Sequence, residues 1–233
     1  MANLTGSERA EYVQNMFARI APRYDLMNRL MTFGQDLRWR KIVIEQASIQ
    51  AGRRVLDLGA GTGDLALSIH EKHPASWPVA ADFTVEMMRV GQKREGGDKL
   101  DWNAADALNL PYATDRFDAV VSGFLMRNVS DLPRALAEQR RILKPGGRLV
   151  ILDTTRPPEN ILRPFIRFHL NHVIPSLGKM IVGESEAYTY LPDTTKEFLS
   201  AEVLAEKIKA AGFSDVGFKR VMFGTIAIHW GQY

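Results

Sequence analysis

The sequence predicts an α/β fold: a mostly parallel seven-stranded sheet, helices on both faces, and an antiparallel hairpin at one edge. Three observations carry this reading. An apolar run, Arg54–Leu58, breaks into three alternate glycines (Gly59, Gly61, Gly63) and then into helix-forming sequence. From residue 50 to residue 153, short apolar runs alternate with amphipathic segments, the order expected of parallel strands joined by helical crossovers. Two further strand-like runs then meet at Gly224, the pattern of a hairpin.

Each element follows in order. Residues 1–48 read as a helical cap: 1–20 are polar and helix-prone, and Met27, Leu30, Met31 and Phe33 supply a second apolar stripe ending near Gly34. Arg54–Leu58 is the first strand and Leu65–Lys72 its helix. Val79–Asp82 and Val85–Lys93 repeat the pair, Leu100–Ala104 is a third strand and Phe117–Ser122 a fourth. A helix over Pro133–Leu143 leads to a turn at Lys144-Pro145-Gly146-Gly147 and a fifth strand, Arg148–Asp153. Residues 156–195 interrupt the alternation with five prolines among many apolar residues, and read as a helical lid inserted over the sheet. Helix Ala201–Ala211 and the strands Val216–Phe223 and Thr225–Trp230 complete one domain spanning 1–233.

Composition narrows the function. With 233 residues and 45% apolar content, the chain can bury a substantial core. The formal charge of +3 is spread along the sequence, so no nucleic-acid surface is expected. The absence of cysteine excludes disulfides and a thiolate nucleophile, and suits a reducing cytoplasm. No apolar run reaches the roughly 18 residues of a membrane span, and no apolar leader opens the chain. The expectation is a cytoplasmic protein that visits a membrane surface peripherally.

The glycine turn identifies the ligand class. A strand-to-helix glycine turn lets a ligand approach the backbone and meet free N–H groups. A dinucleotide fingerprint would need glycine at position 64, where Asp64 stands, and a carboxylate there repels pyrophosphate. An ammonium, a sulfonium and ribose hydroxyls suit it, as in S-adenosylmethionine. Asp57 and Asp64 flank the turn. Asp82 follows Gly59 by 23 residues, near the spacing of about 20 expected for a ribose-binding acid, although it also suits the N-cap of the helix that begins after Thr84. Asp106, after the third strand, suits an adenine amino group. With Thr62, the neighbouring Phe83 and Ala107, and Ser122 at the end of the fourth strand, these form the expected cofactor set: Asp57, Gly59, Gly61, Thr62, Gly63, Asp82, Phe83, Asp106, Ala107 and Ser122.

Longer segments carry a resemblance. They are Phe17-Ala18-Arg19-Ile20-Ala21-Pro22-Arg23-Tyr24-Asp25-Leu26-Met27-Asn28, Arg127-Asn128-Val129, Leu143-Lys144-Pro145-Gly146-Gly147-Arg148, Tyr188-Thr189-Tyr190-Leu191 and Gly224-Thr225-Ile226-Ala227-Ile228-His229-Trp230-Gly231. Through them the chain resembles the class I, Rossmann-like S-adenosylmethionine-dependent methyltransferases, and within them the C-methyltransferases of ubiquinone and menaquinone biosynthesis. It departs from the family pattern at Asp36-Leu37, where the family carries a basic His-Arg pair, and at Leu125-Met126, before Arg127.

The resemblance implies methyl transfer to a ring carbon of a demethylated polyprenyl quinol, demethylmenaquinol first and a ubiquinone precursor second. It puts the reacting methyl near the end of the fourth strand. Arg127 would there stabilise the phenolate or hold a water that takes the proton, and Asn128 would orient that water or the quinol oxygen. The alternative for Arg127 is a salt bridge to an acid such as Asp131. Tyr24 and Asn28 would reach the ring from the cap, with Tyr188 and Tyr190 as further substrate contacts. His229 reads as an ordinary strand histidine. His169 and His172 have ligand-like spacing without a third ligand, so no metal is expected. In the lid, Arg163, Arg167 and Asn171 form a polar stripe beside apolar ones, suited to transient contact with a membrane holding the lipophilic substrate. A homodimer is compatible with this reading. Three alternatives stay open: a methyltransferase for another lipophilic phenol, a nucleotide-cofactor oxidoreductase, and a non-catalytic cofactor-binding partner in a quinone-synthesis assembly.

Overall fold

The computed structural model describes residues 6–156 and 198–233, together with Val173. Helices α1 (Gly6–Ile20), α2 (Tyr24–Met31) and α3 (Asp36–Gln46) precede the sheet. The alternating part is β1 (Arg54–Leu58), α4 (Asp64–Lys72), β2 (Trp77–Asp82), α5 (Val85–Gln92), β3 (Asp101–Ala104), β4 (Phe117–Gly123), α6 (Leu132–Ile142) and β5 (Leu143–Thr154). It ends with α7 (Ala201–Ala210), β6 (Ser214–Val221) and β7 (Ile226–Gln232).

The seven strands lie in the order β3-β2-β1-β4-β5-β7-β6. β1 to β5 pair in parallel, whereas β7 runs antiparallel to both β5 and β6. Strand alternation gives the sheet two apolar faces. Leu56, Leu58, Val120, Leu149 and Ile151 pack with Leu136 of α6 and Leu204 and Ile208 of α7. Val55, Val121, Val150, Leu152 and Ile228 pack with Trp39 and Val43 of α3 and Leu65 and Ile69 of α4. Because β2 and β4 flank β1 on opposite sides, the chain reverses its winding there and opens a crevice at the strands' carboxyl ends.

One expected boundary changes. Lys144-Pro145-Gly146-Gly147 is not a turn before the fifth strand but an irregularity inside it: Leu143 pairs with Phe117, and regular pairing resumes at Arg148 and Ala119. The expected antiparallel hairpin of β6 and β7 stands at the edge of the sheet, with β7 meeting β5 and β6 as the outer strand. The expected lid over 156–195 falls almost wholly outside the described residues, as do His169, His172, Tyr188 and Tyr190.

Candidate active site

The glycine turn sits at the mouth of the crevice. Gly59 and Gly61 both take positive φ (69° and 57°), and a Cβ on either would lie 3.0–3.1 Å from a side-chain atom of Leu125 or Met87. Only glycine keeps the backbone this low beneath a ligand. Two cavities adjoin here. The larger, about 160 Å³, holds Asp82, Phe83, Asp106, Ala107 and Asn128 with apolar Phe17, Met87 and Val129. The second holds Asn28, Asp36, Arg40, Asp57, Thr62 and Asp64. Tyr24, Gly59, Gly61, Gly123 and Phe124 line both.

The strand-end acids are set by backbone donors. Asp82 Oδ2 accepts from the Gly61 N–H (2.7 Å) and Oδ1 from the Thr84 N–H (2.7 Å), so the carboxylate fixes the glycine turn and the start of α5 together. The helix-capping alternative and the ligand reading therefore coexist at one residue. Burial pushes the Asp82 carboxyl up from its ordinary range, against these N–H groups. Asp106 accepts from the Leu108 N–H (2.9 Å).

Asp57 is the most constrained of them. Its side chain is buried, Oδ2 accepts from the Ala66 N–H (3.0 Å), and Oδ1 has no hydrogen-bond partner among the described residues. Burial first, then the charges of Asp82 and Asp64, raise its carboxyl to about 7. An ammonium placed in the second cavity would relieve that repulsion.

Asp64 does not stand open to a ligand as its place in the turn suggests. Arg40 and Arg94 (2.8 Å) both pair with it. Arg40 also meets Asp36 (2.6 Å), which Arg29 pairs (3.2 Å) and to which the Thr32 hydroxyl donates (3.1 Å). Arg94 in turn reaches Asp25 (3.1 Å) and donates to the Thr62 carbonyl (3.0 Å), and the Thr62 hydroxyl donates to Asp25 (2.5 Å). This network fastens α2 and α3 to the glycine turn. The departure at Asp36 is thus part of a compensated cluster. Arg40 was legible as an i,i+4 partner of Asp36, but Arg94 and Asp25 meet the turn only through tertiary structure.

Two expected cofactor residues are elsewhere. Ser122 is fully buried within β4 and lines neither cavity, and Gly123 and Phe124 occupy the strand end instead. Gly63 also lines neither. It precedes α4 with φ 84°, and a Cβ there would lie 2.6 Å from the Trp102 ring, so its role is close packing.

Arg127 likewise lines neither cavity. Its Nη1 donates to Asp153 Oδ1 at 2.7 Å, both side chains are buried, and its guanidinium lies 5.0 Å from the Phe124 ring centroid. The salt-bridge alternative holds, with Asp153 of β5 as the acid. Asp131 instead caps α6, accepting from the Arg134 N–H (3.0 Å). Phe124 takes positive φ (61°), and its carbonyl accepts from Asn128 Nδ2 (3.1 Å). Tyr24 is in the shared wall. Burial raises its hydroxyl above the usual phenol range, although a bond to Asn28 and the charge of Arg127 oppose this. His229 is an ordinary strand histidine: its Nε2 meets the Ala201 carbonyl at 2.9 Å, and burial lowers its pKa.

Two outcomes follow. Arg127→Ala, by leaving Asp153 buried and unpaired, should lose about 3–5 kcal/mol, whereas Arg127→Met with Asp153→Leu should recover most of it. Urea unfolding midpoints measure both, and an unchanged midpoint in the single variant would contradict the pairing. Because the folded-state pKa of Asp57 lies above its unfolded value near 3.8, its contribution to stability is full below that value and is lost as pH rises toward about 7. Asp57→Asn should therefore gain on the native chain by up to about 1.4 kcal/mol per pH unit over that window, and a stability difference independent of pH would contradict it.

Comparison with known proteins identifies the family. The profile of the ubiE/COQ5 methyltransferase family matches residues 5–233. The ubiquinone/menaquinone biosynthesis C-methyltransferase UbiE of Desulfotalea psychrophila is 49% identical over 219 residues, covering 94% of this chain and 89% of that one. The demethylmenaquinone methyltransferase of Thermus thermophilus is 44% identical over 93% of this chain and 99% of its own. In fold, the chain is similar to a SAM-dependent methyltransferase of Thermotoga maritima, a possible histamine N-methyltransferase, with TM-score 0.61, 22% identity, and coverage of 94% and 98%. The expected fold and the expected S-adenosylmethionine-dependent C-methyltransferase class both stand. The chain belongs to the ubiE/COQ5 methyltransferase family.

Proposed function

We propose that this chain methylates a ring carbon of a demethylated polyprenyl quinol, with demethylmenaquinol the preferred acceptor. The observation that carries the reading is the pair of cavities joined at the wall of Tyr24 and Phe124. The larger offers acids and apolar surface suited to an adenosine. The second offers the one unpartnered oxygen of Asp57, suited to an ammonium. The names of the Desulfotalea and Thermus relatives support the quinone acceptor.

S-adenosylmethionine supplies a methyl group carried on a sulfonium. The chain's residues do the rest. Asp82 holds the glycine turn through the Gly61 N–H at one oxygen and the start of α5 through the Thr84 N–H at the other, and as a lining residue of the larger cavity it suits a ribose hydroxyl. Phe17, Phe124 and Val129 supply a water-poor wall that fixes the approach of an aromatic carbon to the methyl. A carbon nucleophile needs charge pushed onto the ring from an adjacent oxygen that gives up its proton to solvent water, and the hydrogen displaced from the methylated ring carbon leaves as a proton by the same route. Tyr24, held protonated by its raised pKa, acts as a donor to that developing oxyanion and not as the base. Arg127 acts from behind Tyr24 and Phe124. Its cation is shared with Asp153, so it orders the turn and biases the local field without taking the proton.

The test is turnover of the purified chain with labelled S-adenosylmethionine and a panel of demethylated menaquinols and ubiquinol precursors. The expected product is one methyl heavier, labelled on a ring carbon, and formed fastest from demethylmenaquinol. Tyr24→Phe should lower kcat about a hundredfold, the cost of one oxyanion donor, with cofactor affinity kept. Cofactor binding without ring methylation of any quinol, or methylation on oxygen alone, would contradict the proposal.

A further inference from the structure

The sheet also has a cavity at the end opposite the crevice. It measures about 500 Å³, lies where β1, β4 and β5 begin, and has the size of a small-molecule pocket. Arg53, Asp118, Lys144, Pro145, Arg148 and Gln232 build its walls. Val55 pairs with Ala119 and Ala119 with Arg148, so these three stand abreast on one face of the sheet. Arg148 is therefore two strand spacings, about 10 Å, from β1, and Arg53 precedes Val55 by two residues. Lys144 reaches the same space because the irregularity of β5 folds tightly. A Cβ on Gly147 would lie 2.8 Å from the Lys144 carbonyl oxygen and 3.2 Å from that of Asp118.

Three cations line this space, and one acid stands among them. Asp118 is already saturated. It accepts from the Arg54 N–H (2.9 Å), from Arg53 Nη1 (2.7 Å) and, at both oxygens, from Lys144 Nζ (2.9 Å). Although burial opposes it, these partners hold its carboxyl below the ordinary range. Arg148 meets only neutral groups: its Nε donates to the Gln46 carbonyl at 3.3 Å and its Nη1 to Gln232 Oε1 at 3.5 Å, both long. Gln46 closes α3, whose carbonyl end carries a partial negative charge of about half, too little to match a guanidinium. Tyr233, whose carbonyl takes the Gly146 N–H (2.7 Å), does not line the cavity. The half-exposed Arg53 and Lys144, and the fork of Arg148, thus keep N–H donors to spare. Two guanidinium forks and an ammonium around one occupied carboxylate match a multiply charged phosphate group.

We propose that this cavity binds a small diphosphate-bearing anion, with Arg148 on one side and Arg53 and Lys144 on the other. A diphosphate spans the gap between the two arginines better than a single charge, and Pro145 and Ile49 offer an apolar wall to any organic part it carries. The inference goes beyond the proposed reaction, since it uses neither the quinol nor the methyl donor. The cavity and the glycine turn lie at opposite ends of β1, so the anion and the cofactor are held at the same time.

Calorimetric titration of the full chain, saturated with S-adenosylhomocysteine to fill the crevice, tests this with inorganic diphosphate and with ADP. Diphosphate should bind at one site and raise the Tm. Tighter binding of ADP would give the site to a nucleoside ester, and equal or weaker binding would give it to the free anion. Arg53→Met with Arg148→Met should weaken diphosphate binding at least about tenfold, with S-adenosylmethionine affinity unchanged. Asp118 keeps Lys144 and the Arg54 N–H in that variant, so the strand ends stay joined. Asp118→Asn should act in the opposite direction and tighten diphosphate binding, because it frees Arg53 and Lys144, and a damaged fold cannot produce that gain. Absence of diphosphate binding, equal binding by the double variant, no gain in Asp118→Asn, or an equal effect of sodium chloride at matched ionic strength would overturn the proposal. So would diphosphate binding that is lost when the crevice is filled, which would place the anion at the glycine turn. Methyl transfer to a quinol is a separate readout, so the failure of one proposal is distinguishable from the failure of the other.

Discussion

One carboxylate, Asp64 at the first turn of α4, ties the parts of the site together. Arg40 of α3 and Arg94 beyond α5 both pair with it, and through Asp36 and Asp25 the same two arginines hold α2. The position suits an anion twice over, because the helix dipole favours negative charge at its N-terminus and each guanidinium adds its own attraction. Arg40, Asp36 and Asp64 are largely sheltered from water, and ions so placed stabilise a structure only when they are matched. Here Arg29, Thr32 and Thr62 complete the set. The glycine turn, which strand pairing alone would leave as an open rim, thereby acquires a helical roof, and Tyr24 and Asn28 acquire their places in the cavity walls.

The sheet was legible because its physics is local. Each parallel strand is a short apolar run that ends at a turn residue, and β1 lies where the apolar run before Gly59 predicts. The one misplaced boundary depends on distant contacts. A Pro-Gly-Gly sequence reads as a turn, yet it lies inside β5, where Leu143 and Arg148 on either side pair with β4 and Gly146 and Gly147 exchange backbone hydrogen bonds with Tyr233. Nothing local tells a hairpin which of its strands will meet β5.

The same distinction divides the site. Asp82, Asp106, Gly59 and Gly61 were legible as residues at strand ends, where parallel sheets open a crevice. Ser122 fails by one residue, since successive side chains of a strand point to opposite faces and the wall begins at Gly123. Gly63 looks like its two neighbours in the turn, but what it accommodates is Trp102, an indole from the third strand. Asp131, near Arg127 in sequence, is occupied with capping a helix, and the true partner Asp153 comes from the adjacent strand.

The arginine–carboxylate network, and not apolar packing alone, holds α2 over the candidate cofactor site. Hydrogen exchange on the full chain carrying Arg40→Met tests it most directly, because Asp36 and Asp64 each keep a second arginine and the fold survives. Faster exchange is expected only at the amides of α2 and the start of α3, with weaker S-adenosylmethionine binding and unchanged protection in the sheet. Unaltered α2 protection together with unaltered cofactor affinity would contradict it.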